Sequence, residues 1–433
     1  MSTAALVESP TGVEANLGPV TERTDIPSSL SPFFSVEAPT VYPLVVVQAL
    51  EAIFAQYNEV FPSLLPAHTA SPTAYRFCQP AALAVQVDMV GLTDEVLTDL
   101  AARPLEDVVE YLRRRIFEID SSIAMYHLLE QLFPAPGGGP SAFRAAWRAA
   151  LDDVRRRTDL PVAVLAVTRE KCDAMVTSEF GLQPGDPVTP EIVQEYTGFD
   201  TFFGPDEFLA HLEANGGQCG YALFVRSSLP TNALRNPGAE VEHPLLSDPQ
   251  LLEVIRNHAV TINVDAPDAP WTEQINDTKG YMPLMDLGHI ITSVEDLDSI
   301  RFHQFLTRHG VSWEQVTSGR VTLRAKPAVS SYGAYGHIRR VWSKKFRQDL
   351  AREISLRGPY VVQLELDVPV VTNAYDGEEA AFIDRNFIFI VNGRARFGCG
   401  FRNHMPTGTV EYARGRVHGN GAAFWSVIHR PAA

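Results

Sequence analysis

The sequence predicts an α+β protein, and three changes in hydrophobic patterning along the chain predict it. From Tyr42 to about Phe133 apolar residues recur at intervals of three and four; from about 140 to 270 helix and strand patterns alternate; in the final third strand patterns dominate. The first is the signature of amphipathic helices, the second of an α/β layer, and the third takes the chain out of the purely alternating class.

Each stretch follows from its residues. Val45, Leu50, Ile53, Phe54 and Tyr57 fall on one helical face, and Val108, Val109, Leu112, Ile116 and Ile119 on another, so residues 36–135 are expected as a mostly helical N-terminal region. Residues 1–35 combine low hydrophobicity with dispersed Pro and Ser, which cannot offset the entropy of ordering, and are expected as a flexible tail. The segment Pro134-Ala-Pro-Gly-Gly-Gly-Pro140 cannot continue a helix and marks a boundary. Beyond it, residues 136–270 read as an α/β region on the substrate side of the molecule. It has a helix near Ser141 to Thr158, strands at Val162–Val167, Gly220–Val225 and Val260–Val264, and a helix from Pro249 to His258. Residues 271–433 form the last region, with strands at Arg320–Lys326, Tyr360–Leu366 and Phe387–Val391 and no internal repeat.

Composition narrows the functional classes. The 433 residues are 45% hydrophobic, ample for buried cores in two or three domains. The net charge of −16 comes with no stripe of Lys and Arg, which argues against nucleic acid as a partner. Cys78, Cys172, Cys219 and Cys399 form no CxxC pair and suggest no disulfide framework, so a reducing, cytoplasmic setting is expected. The N-terminus lacks a basic segment followed by an apolar core, and the longest apolar run, Val41 to Leu50, is interrupted by Pro43 and Gln48. Neither a signal peptide nor a membrane partner is expected.

Lysine is scarce: Lys171, Lys279, Lys326, Lys344 and Lys345 stand among 36 basic residues, so the position of each is informative. Lys326 closes the strand pattern Val321-Thr-Leu-Arg-Ala-Lys326 and is followed by Pro327 and then Ser330-Ser-Tyr-Gly-Ala-Tyr-Gly336. A Gly/Ser loop can bring backbone N–H groups against phosphate oxygens while a neighbouring lysine supplies a point charge. Taken alone, such a loop reads first as a hairpin turn with glycines at positive φ. The residue order is neither GxxxxGK[ST] nor GxGxxG.

The succession strand, Lys, Pro, loop, strand resembles the ATP-grasp fold, and three further segments are similar, in order, to its circularly permuted branch, which includes glutathionylspermidine synthetase. Val260-Thr-Ile-Asn263 with Asn276-Asp-Thr-Lys-Gly-Tyr-Met-Pro-Leu-Met285 resembles that branch's strand, Asn and "NK…PLL" helix; Tyr360-Val-Val-Gln-Leu-Glu365 resembles its "YVxQ" hinge strand; and Asn386 through Arg402 resembles a strand-turn-strand ending in an arginine over the transferred phosphate. The resemblance implies an ATP-grasp nucleotide lobe over 271–433. Lys279, Lys326, Ser330, Ser331, Gly333, Gly336, Gln363 and Glu365 would hold ATP, and Arg402 would act on the phosphoryl group.

The branch carries its magnesium carboxylates early in the chain, as Arg-x-Asp followed by Glu-x-Asn. Here the matching residues are Tyr75-Arg76-Phe-Cys78 and Gln86-Val-Asp88, with Cys78 in an Asp position. Arg76 would face the carboxylate substrate, and Asp88 would bind Mg2+, with Asp384 or Glu365 as replacements from the nucleotide lobe, since magnesium takes hard oxygen ligands. The function implied is an ATP-dependent carboxylate–amine ligase acting on small molecules through an acyl phosphate. The departures at Cys78 and Gln86 keep a non-catalytic nucleotide-binding or scaffold protein as the alternative. HExxH, GxSxG and EF-hand patterns are not found, and His404, His418 and Asn420 read as residues of bordering loops.

Overall fold

The computed structural model describes residues 40–60, 76–77, 84–120, 163–166, 200–203, 205–214, 221–223, 259–261, 279, 281–328, 338–372, 379–408 and 424–431, with isolated positions between 145 and 156. In chain order the N-terminal elements are β1 (Thr40–Val41), α1 (Leu44–Val60), β2 (Arg76–Phe77), β3 (Ala84–Val90), α2 (Asp94–Ala101), α3 (Leu105–Arg113) and β4 (Ile116–Asp120). The middle of the chain contributes β5 (Ala163–Ala166), β6 (Asp200–Phe203), α4 (Pro205–Ala214), β7 (Tyr221–Leu223) and β8 (Ala259–Thr261). The remainder runs α5 (Tyr281–Leu284), β9 (His289–Ile291), α6 (Ile300–Arg308), α7 (Trp313–Thr317), β10 (Thr322–Pro327), β11 (Ile338–Val341), α8 (Lys344–Arg357), β12 (Tyr360–Leu364), β13 (Val370–Thr372), β14 (Glu379–Val391), β15 (Arg394–Pro406) and β16 (Phe424–His429). The class is α+β. Among the described residues no helix is long and apolar enough to cross a membrane.

Two largely antiparallel sheets form the framework. The larger has the order β1-β16-β15-β14-β3-β4, with β13 also on β14, so strands from both ends of the chain share one ladder. The smaller has the order β11-β10-β12-β9. In the middle of the chain β5 pairs parallel with β6, and β7 and β2 pair parallel with β8, as crossover connections in an α/β region require.

The helix α1 forms as its spacing predicts. It buries Val46, Leu50, Ile53, Phe54 and Tyr57 against Val85, Val87, Met89, Ile119, Ile388, Phe397 and Ile428 on one face of the large sheet. Each such side chain contributes roughly 1.5–3 kcal/mol of apolar transfer free energy. The second helical pattern is corrected: α3 stops at Arg113, and Ile116 and Ile119 belong to β4. Spacing of three and four fits Leu112, Ile116 and Ile119, but pairing with β3 puts Ile119 opposite Val87 and Ile116 opposite Met89, where strand geometry buries both. The N-terminal region is therefore helices laid on a sheet to which it supplies three strands, β1, β3 and β4. The strand expected at Phe387–Val391 is longer, starting at Glu379. Asp384, Arg385 and Asn386 break its hydropathy, yet the ladder with β15 runs through all three. The Asn392-Gly393 turn has φ of 51° and 70°, the I′ geometry that suits a twisted hairpin.

The small sheet buries Leu323, Ala325, Tyr360 and Val362 under α6, α7 and α8, together with Phe302, Phe305 and Phe346. Into this aromatic layer the chain places His289, whose ring lies 5.5 Å from that of Phe302, and His309, 4.5 Å from that of Phe305. Burial pulls the pKa of both below the ordinary histidine value, as it does for His429. Between the lowered native value and the unfolded value of about 6.5 the unfolded chain binds more protons, so stability is complete above that value and falls as pH drops through the native ones. The melting temperature is expected to fall from pH 7 to pH 5, and His289→Phe is expected to remove part of that fall. Equal slopes for variant and wild type would take His289 out of the account.

Candidate functional site

Alternation along β10 sends Leu323 and Ala325 into the aromatic core and Arg324 and Lys326 to the other face. Register carries this face across the sheet: Arg324 stands opposite Gln363 on one side and Arg339 on the other, and Lys326 opposite Val361. Glu365, two residues past Gln363, joins the same face, with Arg324 Nε 2.6 Å from one carboxylate oxygen and Arg339 Nε 3.0 Å from the other. Gln363 is buried and donates from Nε2 to the Leu287 carbonyl at 2.8 Å, which ties β12 to the segment before β9.

Lys279 lies far from Lys326 in sequence and arrives beside it because its backbone N–H donates to the Ala328 carbonyl at 2.7 Å. Both lysines are almost fully buried, with exposures of 5% and 2%. Lys279 Nζ is 3.1 Å from one oxygen of Glu118; Lys326 Nζ is 3.7 Å from the other and donates to the Phe117 carbonyl at 2.9 Å. Burial lowers the pKa of Lys326 to about 8, with Glu118 opposing the shift.

Glu118 reaches the lysines from the large sheet. The register aligns Glu118, Asp88, Arg385 and Phe401 in one rung across β4, β3, β14 and β15. A bulge between Asp88 and Met89 opposes Phe117 and Glu118 to a single step of β3. Such a bulge re-aims side chains and interrupts pairing, and it is at this irregularity that the Phe117 carbonyl accepts from Lys326. On the same rung Asp88 accepts from Gln86 Nε2 at 2.7 Å and has Arg385 Nε at 3.6 Å. Burial raises the Asp88 pKa, while Arg385 and Gln86 counter it.

Asp384 and Arg402 fall on a different face of the large sheet from Asp88. Asp384 stands opposite Met89, one residue out of step with Asp88, and so projects from the other face of the sheet. There it is 0% exposed and fully engaged: Arg402 Nε donates to Oδ1 at 2.8 Å, and Tyr42 Oη and the Leu92 N–H donate to Oδ2 at 2.7 and 2.9 Å. Arg402 also donates to the Leu92 carbonyl at 2.6 Å and lies over the Phe382 ring at 4.3 Å. Burial opposes the guanidinium charge, but Asp384 outweighs it and the Arg402 pKa is raised; burial and Asp384 together push Tyr42 up. This is a structural clasp between α1, the β3–α2 connection and the hairpin. Both side chains are engaged on the face of the sheet opposite the one that carries Asp88.

The structure thus brings Lys279, Lys326 and Asp88 together and places Gln363 and Glu365 on the adjoining face, with Glu365 clamped by two arginines. Arg76 lies on β2 in the parallel sheet, a different sheet from Asp88, and its side chain lies outside the described residues. Ser330, Ser331, Gly333, Gly336 and Cys78 also lie outside them, as do His418 and Asn420. Sequence reasoning missed Glu118, Arg324 and Arg385. The alternation Ile116-Phe-Glu-Ile-Asp120 after the basic run Arg113-Arg-Arg115 is the signal that could have shown Glu118 on a strand. The chain matches no protein-family profile and no curated protein.

Proposed function

We propose that the chain is an ATP-dependent carboxylate–amine ligase on a permuted ATP-grasp frame, acting on small molecules. The observation that carries the reading is the convergence of two of five lysines, from separate elements, on the carboxylate-bearing rung of another sheet. Buried ammonium groups that share one carboxylate form a strong anion site, because charges act at low effective dielectric there. Two such groups, with Arg385 beside Asp88, suit the β- and γ-phosphates of a nucleotide.

Magnesium fits the same place. Asp88 and Glu118 are neighbours across a ladder and both offer hard oxygens, so they would hold the ion, with phosphate oxygens and water as its other ligands. When bound, the ion supplies charge neutralisation between the phosphates. Among the described residues no cluster of three or more Asp, Glu, His or Cys stands ready to hold a metal, so the site relies on the nucleotide for the remaining ligands. In the reaction the γ-phosphoryl group passes to a substrate carboxylate oxygen with ADP as leaving group. The amine then attacks the acyl carbon, loses a proton and expels phosphate. Lys279 and Lys326 hold the phosphate charge, and Arg385, on the metal-side face where Arg402 is not, takes the role expected of Arg402.

A nucleotide-binding protein without turnover is the second reading. It is favoured by Cys78 and Gln86 in acidic positions of the resembled pattern and by Gln86 holding Asp88. ATP with Mg2+ is expected to stabilise the chain against heat by about 2.7 kcal/mol at 100 times Kd, and Lys326→Met to lose most of that gain while still folding. A full nucleotide-induced shift in Lys326→Met removes Lys326 from the site. ADP release in the presence of carboxylate and amine pairs separates the ligase from the binding protein.

A further inference from the structure

Glu118 occupies the place that a phosphate would need. Its two oxygens are divided between Lys279 at 3.1 Å and Lys326 at 3.7 Å, so both ammonium groups reach this carboxylate. The lysines are nearly inaccessible, whereas the Glu118 side chain keeps 28% of its surface exposed. Buried cations stripped of a partner are costly, so the lysines hold Glu118 until a better anion arrives. A polyphosphate is that anion, but it cannot sit on the lysines beside an ionised Glu118, because like charges at contact distance repel strongly at low effective dielectric. Asp88 stands next to Glu118 on the same rung and offers the second oxygen of a cation site.

Resting on the nucleotide reading, we infer that Glu118 is an exchangeable counter-ion. It neutralises Lys279 and Lys326 in the empty site and is handed to a divalent cation when polyphosphate takes the lysines. Metal and nucleotide therefore bind cooperatively, each removing the repulsion the other meets, and the site takes the magnesium complex of the nucleotide in preference to the free anion. The coupling is reciprocal, as any linkage between two ligands must be. Glu118 in this role sets affinity and metal dependence before any chemistry.

The test is calorimetric titration of wild type and Glu118→Gln with ATP and with inorganic tripolyphosphate, each with Mg2+ and with EDTA. Wild type is expected to bind both anions more tightly with Mg2+. Glu118→Gln is expected to bind the metal-free anions about five- to tenfold more tightly than wild type, the worth of one freed ion pair, and to lose most of the gain from Mg2+. Metal-free binding no tighter in the variant overturns the exchange, as does an unchanged gain from Mg2+. If ATP binds no better than tripolyphosphate in wild type while Glu118→Gln still tightens both, the exchange stands and the nucleotide reading falls. If neither anion binds either protein, both fall. Should Glu118→Gln not fold, Glu118→Asp, whose shorter arm withdraws the carboxylate from the lysines, serves the same comparison.

Discussion

Asp384→Ala is expected to destabilise the protein by about 3–5 kcal/mol, the usual cost of stranding a buried charge by removing its partner. The loss follows from the geometry of the clasp. Arg402 is 8% exposed and would keep its charge without its carboxylate partner, with the Leu92 carbonyl and the Phe382 ring beside it, while Tyr42 Oη and the Leu92 N–H would lose their acceptor. The substitution touches three elements at once, because Tyr42 leads into α1, Leu92 precedes α2 and Arg402 lies on β15. Denaturant unfolding of Asp384→Ala and Arg402→Met, each against wild type, measures it. Arg402→Met fills the space with an apolar chain but leaves the Asp384 carboxyl group buried without its guanidinium partner, so it should also lose stability. Wild-type stability in both variants, with nucleotide binding or turnover gone, would return the pair to the chemistry and overturn the structural assignment.

Asp88→Asn is expected to lower ATP turnover about 100-fold or more while changing nucleotide affinity far less. Interactions aimed at charge that develops during phosphoryl transfer act on the rate rather than on binding. The side chain is nearly isosteric, and Gln86 can still donate to its remaining carbonyl oxygen, so folding should survive. What is lost is one of two hard anionic oxygens on the rung that faces the lysines. Steady-state rates and calorimetric affinities, compared for the two proteins, separate the effects. Turnover at the wild-type rate excludes Asp88 as a ligand. A wild type that binds ATP but turns over nothing with any carboxylate and amine offered favours the non-catalytic reading, with Cys78 and Gln86 as residues of a site that has lost its metal.

The sequence by itself determined whatever depends on neighbours in the chain. The apolar stripe from Val45 to Tyr57 is enough to make a helix with one buried face. The alternation from Val321 to Lys326 is enough to make a strand that buries Leu323 and Ala325 and turns Arg324 and Lys326 the other way, because side-chain direction has a period of two wherever a strand forms. Scarcity marked Lys279 and Lys326 before any contact was visible. Tertiary pairing decided the rest. Spacing of three and four could not distinguish the end of α3 from the start of β4, since Leu112, Ile116 and Ile119 satisfy a helix until β3 offers a ladder; Glu118 stayed hidden with them. Nor could the sequence say on which face Arg402 and Asp384 fall, because one residue of register exchanges the two faces of a strand, and β14 pairs with β3 in unbroken register but with β15 across a bulge at Phe387 and Ile388. Register is set by contacts between segments hundreds of residues apart, and it gave Asp88, Glu118 and Arg385 to the lysines and Asp384 and Arg402 to the core.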